Sequence, residues 1–264
     1  MNPKVGGCLI DPPHGNYKSF NRIKIAHGGS TSKDVDLRSY SSPRHDQRKT
    51  SSCVAQSVVK ALELKRIMKH GHAKHVDLSI ADLYYGARDM MSPKMTDQDS
   101  GTFISLACHV LQTLGVCRDV MHPFNETNLY RPPSVMATRE ARLNRIKGHF
   151  RILSQGNDRI DDMVYNLHAG NPVVFGTLVG TDWYNYKGKG VIGKESDPKG
   201  MHAMVIVGYV DGKMIVENSW GTDFGENGFA YVDPAVFSDL SRTKDCWVIV
   251  DGSEAWYEEG VTNV

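Results

Sequence analysis

Asn218-Ser219-Trp220-Gly221-Thr222-Asp223-Phe224-Gly225-Glu226-Asn227-Gly228 follows directly on an apolar hairpin, and its reading decides that of the chain. Upstream, Met201 to Val210 alternates as a strand, Asp211-Gly212 is a tight-turn pair, and Lys213 to Asn218 returns. His202 and Asn218 therefore share the open end of the hairpin. There the Asn amide can hold one imidazole nitrogen and turn the other towards a reacting group.

Cys53 is the candidate for that group. A thiol attacks as its thiolate, so a nucleophilic Cys needs surroundings that favour the anion. From Cys53 to about Met68, apolar residues at Val54, Val58 and Leu62 and at Ala55 and Val59 predict a helix with one buried face, with Ser51 or Ser52 as its cap. Cys53 falls in the first turn, where free N–H groups and the helix dipole favour a negative sulfur. An imidazolium in contact adds a larger electrostatic contribution and stores the proton that a leaving amine needs. Acyl transfer also requires donors for a developing oxyanion, and the Gln47 side-chain amide and the Cys53 N–H are the candidates.

Gln47, Cys53, His202 and Asn218-Ser219-Trp220-Gly221, in that order, resemble the papain-like cysteine proteases, in a divergent, microbial or viral-looking form with a short N-terminal arm. The Cys53-to-His202 separation lies at the upper edge of the family's interval of about 130 to 150 residues. The resemblance implies a two-lobed α+β fold, a helical lobe facing an antiparallel, barrel-like β lobe across the active-site cleft. It makes Trp220 the indole that shields the His–Asn hydrogen bond. It makes Ser100-Gly101 part of the loop whose backbone pairs with extended substrate. Val35-Asp36-Leu37-Arg38, Leu78 to Tyr84 and Asn171-Pro172-Val173-Val174 resemble further family segments, so the likeness runs from about Asp34 to Asp251. Two departures stand out. Lys49-Thr50-Ser51-Ser52-Cys53-Val54 lacks the family's nearby half-cystine and the aromatic after the nucleophile. Met201 replaces an acidic residue that often precedes the His, a role Glu195 or Asp197 could take.

Along the chain, residues 1–33 read as a Gly-, Pro- and Ser-rich arm that is a short pro-segment or covers the cleft; residues 34–264 read as the catalytic domain. About 45–133 form the helical lobe, with a Ser79/Asp82 capping box and a helix from Phe103 to Leu114 stopped by Gly115. About 134–251 form the β lobe. It opens with a helix over Ser134 to Lys147 and holds strands at Phe150–Leu153, Val173–Val179, Ala203–Val210, Met214–Glu217, Phe229–Val232 and Trp247–Val250, with a helix near Ile160 to Leu167.

The 264 residues carry 31 Lys and Arg against 30 Asp and Glu, and 40% are hydrophobic, which describes an ordinary globule. No global field recruits nucleic acid or a charged membrane, and no apolar run reaches spanning length. Five dispersed cysteines and an N-terminus without a greasy core favour a cytoplasmic, reducing compartment. His70, His72 and His75, interleaved with Lys69 and Lys74, read as a solvated helix end, so neither metal nor cofactor is expected. Cys108, Cys117 and Cys246 read as packing residues. The expected activity is that of an endopeptidase acting on peptide or protein substrates through a Cys53 thioester with His202 as acid and base. The alternatives are a transamidase or peptide ligase using the same acyl-enzyme, and a protease-like binding protein with weak catalysis.

Overall fold

In the computed structural model, which describes residues 3–12, 18–20, 34–251 and 261–263, the helix begun by Cys53 is the central element rather than a surface one. The arm contributes β1 (Cys8–Leu9) and β2 (Lys18–Phe20); its residues 1–2, 13–17 and 21–33 lie outside the described ones. After β3 (Val35–Asp36) comes α1 (Cys53–His70). Every residue of α1 from Cys53 to Lys65 is buried, so the expected single buried face is in fact a helix covered all round. Ser52 occupies the cap position but its hydroxyl meets Thr50 and Gln56 instead of the helix N–H groups.

α2 (Ile80–Asp89) starts as the sequence predicts, with the Ser79 hydroxyl accepting the Asp82 N–H at 3.0 Å. Asp82 does not complete the reciprocal half of the box, because its carboxylate accepts the Cys117 N–H. β4 (Thr102–Phe103) leads into α3 (Ile104–Thr113), and Gly115 follows at φ 81°, a conformation that favours glycine. The predicted Ser134 to Lys147 helix is shorter: α4 (Val135–Ala141) passes into a single 3₁₀ turn at Arg142–Asn144.

The rest is built on strands. These are β5 (Gly148–Arg151), β6 (Val173–Gly180), β7 (Pro198–Val210), β8 (Lys213–Glu217), β9 (Phe229–Val232), β10 (Thr243–Val250) and β11 (Val261–Asn263), with α5 (Gly156–His168), α6 (Thr181–Asn185) and α7 (Ala235–Ser238) between them. They pair in the order β11-β2-β5-β10-β6-β7-β8-β9, with β3 added to β7; all these pairings are antiparallel except β2 with β5. The fold is thus α+β, with a mostly antiparallel sheet. Asp211 and Gly212 both take positive φ, which closes the β7–β8 hairpin where the sequence places its turn.

Charge is buried where α1 meets this sheet. The Lys60 ammonium donates to the Ser42 and Pro43 carbonyls and stands 3.4 Å from the Glu217 carboxylate, which also takes Arg44 at 3.0 Å. Glu217 is the last residue of β8, directly before Asn218, so this network fixes the strand end that carries Asn218. Removing one member strands the others in a dry interior. Lys60→Met is expected to lower stability by about 3–5 kcal/mol, read as a fall in the denaturant midpoint.

Candidate active site

β7 and the end of β8 bring His202 and Asn218 together as the hairpin reading requires. Val205 pairs with Glu217, so both side chains lie just beyond the same end of the ladder. His202 Nε2 stands 2.9 Å from Asn218 Oδ1, which also accepts the Ser219 N–H at 2.7 Å. An oxygen that already accepts a backbone N–H makes Nε2 the protonated nitrogen of a neutral ring. Nδ1 is then the free one; it is buried with no hydrogen-bond partner among the described groups.

Cys53 reaches the same place from α1. The backbone N–H groups of Ala203, the residue after His202, and of Val54 lie near enough to its sulfur to favour the thiolate. The helix start and the strand therefore meet at the sulfur. Burial pushes the Cys53 thiol up to about 12 despite those N–H groups, and burial pulls His202 down to about 4 against the opposing Asn218 bond. Near neutrality both groups are uncharged in this closed state.

Trp220 stacks on the His202 ring, with centroids 4.9 Å apart and planes at 27°; Tyr184 stacks on Trp220 at 5.4 Å and Phe224 meets it edge-on at 5.2 Å. This apolar cover stands beside the His202–Asn218 bond. The loop carrying Trp220 is closed on itself by the Asn218 N–H donating to the Gly228 carbonyl at 3.0 Å.

Gln47 is fully buried beside the same loop. Its backbone N–H and its side-chain oxygen both bind Ser219, at 2.8 and 2.7 Å. Its amide nitrogen donates to the Thr50 carbonyl at 2.9 Å and to the Lys4 carbonyl at 3.0 Å. The second acceptor belongs to the arm.

Residues 4 to 12 of the arm lie along the cleft. The Gly6 N–H donates to the Met201 carbonyl at 2.8 Å, and the Gly7 carbonyl accepts the Thr102 N–H at 3.0 Å. Cys8 and Leu9 then pair in parallel with Thr102 and Phe103. Gly7 packs so closely on Ser51 that a β-carbon there would overlap the Ser51 carbonyl. Lys4 forms an ion pair of 2.7 Å with Asp99, whose carboxylate also takes the Ser51 N–H at 2.9 Å and the Tyr84 hydroxyl at 2.8 Å. At the other end the Asp11 N–H meets Asp245, its carboxylate binds Ser105, and Arg151 donates to the Pro12 carbonyl.

Ser100 and Gly101 flank this seat. Gly101 sits flush against the Gly7 carbonyl and its N–H is held by the Tyr84 hydroxyl, while strand pairing with the arm falls on Thr102 and Phe103. Glu195 accepts the Asp182 and Asp197 N–H groups, and Asp197 binds Lys199 and Thr181, so the hydrogen bonds of both lead away from His202. Lys4 and Asp99 are the residues that sequence reasoning misses; their partners are far away in the chain and no motif marks them. Elsewhere, Glu63, His75 and Asp77 present donor atoms within 4.8 Å of one another. Both Glu63 oxygens are already engaged, by Leu78 N–H and by Ser42 and His45. No described helix is long and apolar enough to cross a membrane.

Known proteins resemble this chain in sequence and fold. The chain is 26% identical over 215 residues, 77% of its length, to an uncharacterised peptidase C1-like protein of Acanthamoeba polyphaga mimivirus, of which the match covers 68%. Xylellain, a cysteine protease from Xylella fastidiosa, superposes with a TM-score of 0.82 at 25% identity over 96% of this chain and 98% of its own. Digestive procathepsin L2 of the Tenebrio molitor larval midgut shares the fold at a TM-score of 0.75 and 18% identity, over 93% and 78% of the two chains. The family profile described as papain family cysteine protease matches residues 31–246. With a sulfur at a helix start, an imidazole held by an Asn amide and an indole stacked on that imidazole, the chain belongs to the papain family of cysteine proteases.

Proposed function

We propose that the chain is an endopeptidase that cleaves peptide bonds through a thioester on Cys53. The observation that carries this is the placement of His202: Nε2 is fixed on Asn218 while Nδ1 is free, and the next backbone N–H lies near the Cys53 sulfur. In the reaction His202 Nδ1 takes the thiol proton, the thiolate attacks the carbonyl carbon, and Gln47 Nε2 with the Cys53 N–H holds the oxyanion. The imidazolium then protonates the departing amine, and water, deprotonated by His202, releases the acid. Asn218 keeps the ring oriented and Trp220 keeps water from that bond. An endopeptidase reading is supported by the arm itself, a segment that runs from the Gln47 amide along β4 to Asp245.

The arm in this position opposes the reaction. The Lys4 carbonyl occupies the Gln47 donor, and Gly7 packs against Ser51 just ahead of Cys53. Residues 3–12 are therefore an inhibitory strap. A chain lacking residues 1–12 is expected to gain at least roughly tenfold in peptide turnover, the equivalent of about 1.4 kcal/mol of docking. Iodoacetamide should then modify Cys53 stoichiometrically, with turnover falling in proportion. Turnover that survives complete modification of Cys53 sinks the catalytic assignment; an unchanged rate without the arm sinks the strap.

Strap docking carries a pH dependence of definite sign. Burial first, and then the Asp245 charge, raise Asp11 from 3.8 to about 6, against Ser105 and Arg151. Docking thus takes up a proton between about pH 4 and 6; it is strongest below that window and weakens as pH rises through 6. The intact chain is expected to gain activity severalfold from about pH 5 to 7 relative to the arm-deleted chain, measured as the ratio of their kcat/KM profiles. A flat ratio overturns the role of Asp11.

A further inference from the structure

Cys8 is a buried thiol that hydrolysis does not use, and it lies where the strap crosses the catalytic groups. A β-carbon on Gly176 would stand 2.7 Å from Cys8 Sγ, with Met201 Cε and Ile104 Cδ1 at 3.7 and 3.8 Å. Gly176 pairs across the sheet with Ala203. The backbone N–H of Ala203 lies near the Cys53 sulfur. The two thiols thus sit over a single cross-strand pair. Their backbones touch one residue before Cys8 and two before Cys53, where Gly7 packs on Ser51. The other cysteines are committed elsewhere: Cys108 is buried in α3, Cys117 packs with Ala137 and Ala141, and the Cys246 sulfur accepts Arg159 Nη2 at 2.9 Å.

We propose that Cys8 and Cys53 form a reversible disulfide that locks the strap over the nucleophile. The proposal rests on the assignment of Cys53 as nucleophile and adds a redox control to it. A disulfide needs Cα atoms roughly 4.4–6.8 Å apart, a range accessible from touching backbones when a strand of only two residues shifts. The oxidant is a low-molecular-weight disulfide, RSSR. When the strap lifts, His202 takes the Cys53 proton and the thiolate attacks one sulfur of RSSR; the Cys53–SR bond forms, the S–S bond of RSSR breaks, and RS⁻ leaves. As the strap returns, Cys8 as its thiolate attacks the Cys53 sulfur and expels the second RS⁻. The two thiol protons end on two RSH, so RSSR is reduced while the pair is oxidised. A reducing thiol reverses both steps. A tethered thiol acts at an effective concentration of the order of millimolar or more, so Cys8 outcompetes thiols free in solution.

The test equilibrates the full-length chain with glutathione and glutathione disulfide at several ratios, quenches with acid, and identifies cysteine-linked peptides after non-reducing digestion. Peptide turnover is followed in parallel. The expected result is a Cys8–Cys53 cross-link that grows as turnover falls, both reversed by dithiothreitol. In Cys8→Ser, Cys53 should instead carry glutathione, and inactivation should require a roughly tenfold more oxidising ratio. Cys53 carrying glutathione in the intact chain while Cys8 stays free overturns the proposal, as does Cys53 linked to any other cysteine. A reduced, folded arm-deleted chain that fails to hydrolyse peptides would instead count against the nucleophile.

Discussion

Cys53→Ala is expected to lower kcat by at least about 10⁵-fold, close to 7 kcal/mol of transition-state stabilisation, with a melting temperature within a few degrees of the parent. The size of the loss follows from chemistry: without the sulfur no thioester forms, and neither Asn218 nor Gln47 can replace a nucleophile. The fold should survive, because the side chain is small, buried at the first turn of a helix whose other contacts are unchanged, and offers only a weak acceptor to the Ala203 N–H. Peptide hydrolysis by a folded Cys53→Ala chain within tenfold of the parent rate rejects the mechanism. The measurement belongs in the arm-deleted chain, where the strap does not mask the starting activity.

Gln47→Glu should produce two effects of opposite sign. The substitution keeps the shape of the side chain and an oxygen to accept the Ser219 hydroxyl, but it replaces the amide donor with a carboxylate. In the arm-deleted chain kcat should fall by about 10²–10³, with KM little changed, since the donor acts on the oxyanion rather than on bound substrate. In the intact chain the same carboxylate faces the Lys4 carbonyl and has nothing to donate, so the strap docks less tightly and Cys53 should alkylate faster. Slower hydrolysis with faster alkylation is a signature that general misfolding does not give. If both rates fall together, Gln47 serves the packing around Thr50 and Ser219 and not the oxyanion.

The Gln47 experiment addresses one geometrical fact, that one of the two acceptors on the Gln47 amide comes from the chain's own N-terminal segment. The sequence shows Gln47, Cys53, His202 and Asn218 because each is set in a local pattern: a helix start, a strand of alternating residues, a two-residue turn, a glycine-bounded loop. The α3 stripe and the Ser79 cap are legible for the same reason, since the partners lie within one or two turns of each other. The predicted end of the Ser134 helix is less well placed, because polar residues continue beyond Ala141 without a buried stripe to hold a helix.

Where the sequence reading stops short, the deciding contacts are non-local. Periodicity assigns α1 one buried face, yet packing against sheet, loop and α2 covers Lys60 and Glu63 as well, and only their partners Ser42, His45 and Glu217 make that burial tolerable. Nothing near Met201 signals that Glu195 and Asp197 bind α6 and its surroundings instead of His202. Likewise a Gly-rich arm carries no periodic pattern from which its seat can be read.

The sequence by itself determined the family, the order of the reacting groups and the turn that sets imidazole beside amide, because these depend on residues whose spacing the backbone converts directly into geometry. Tertiary structure alone decided that Lys4 caps Gln47, that Asp99 anchors Lys4 across 95 residues, and that Cys8 lies over the strands that hold Cys53. Such contacts join segments with no local coupling, and their formation is settled only when the whole interior packs.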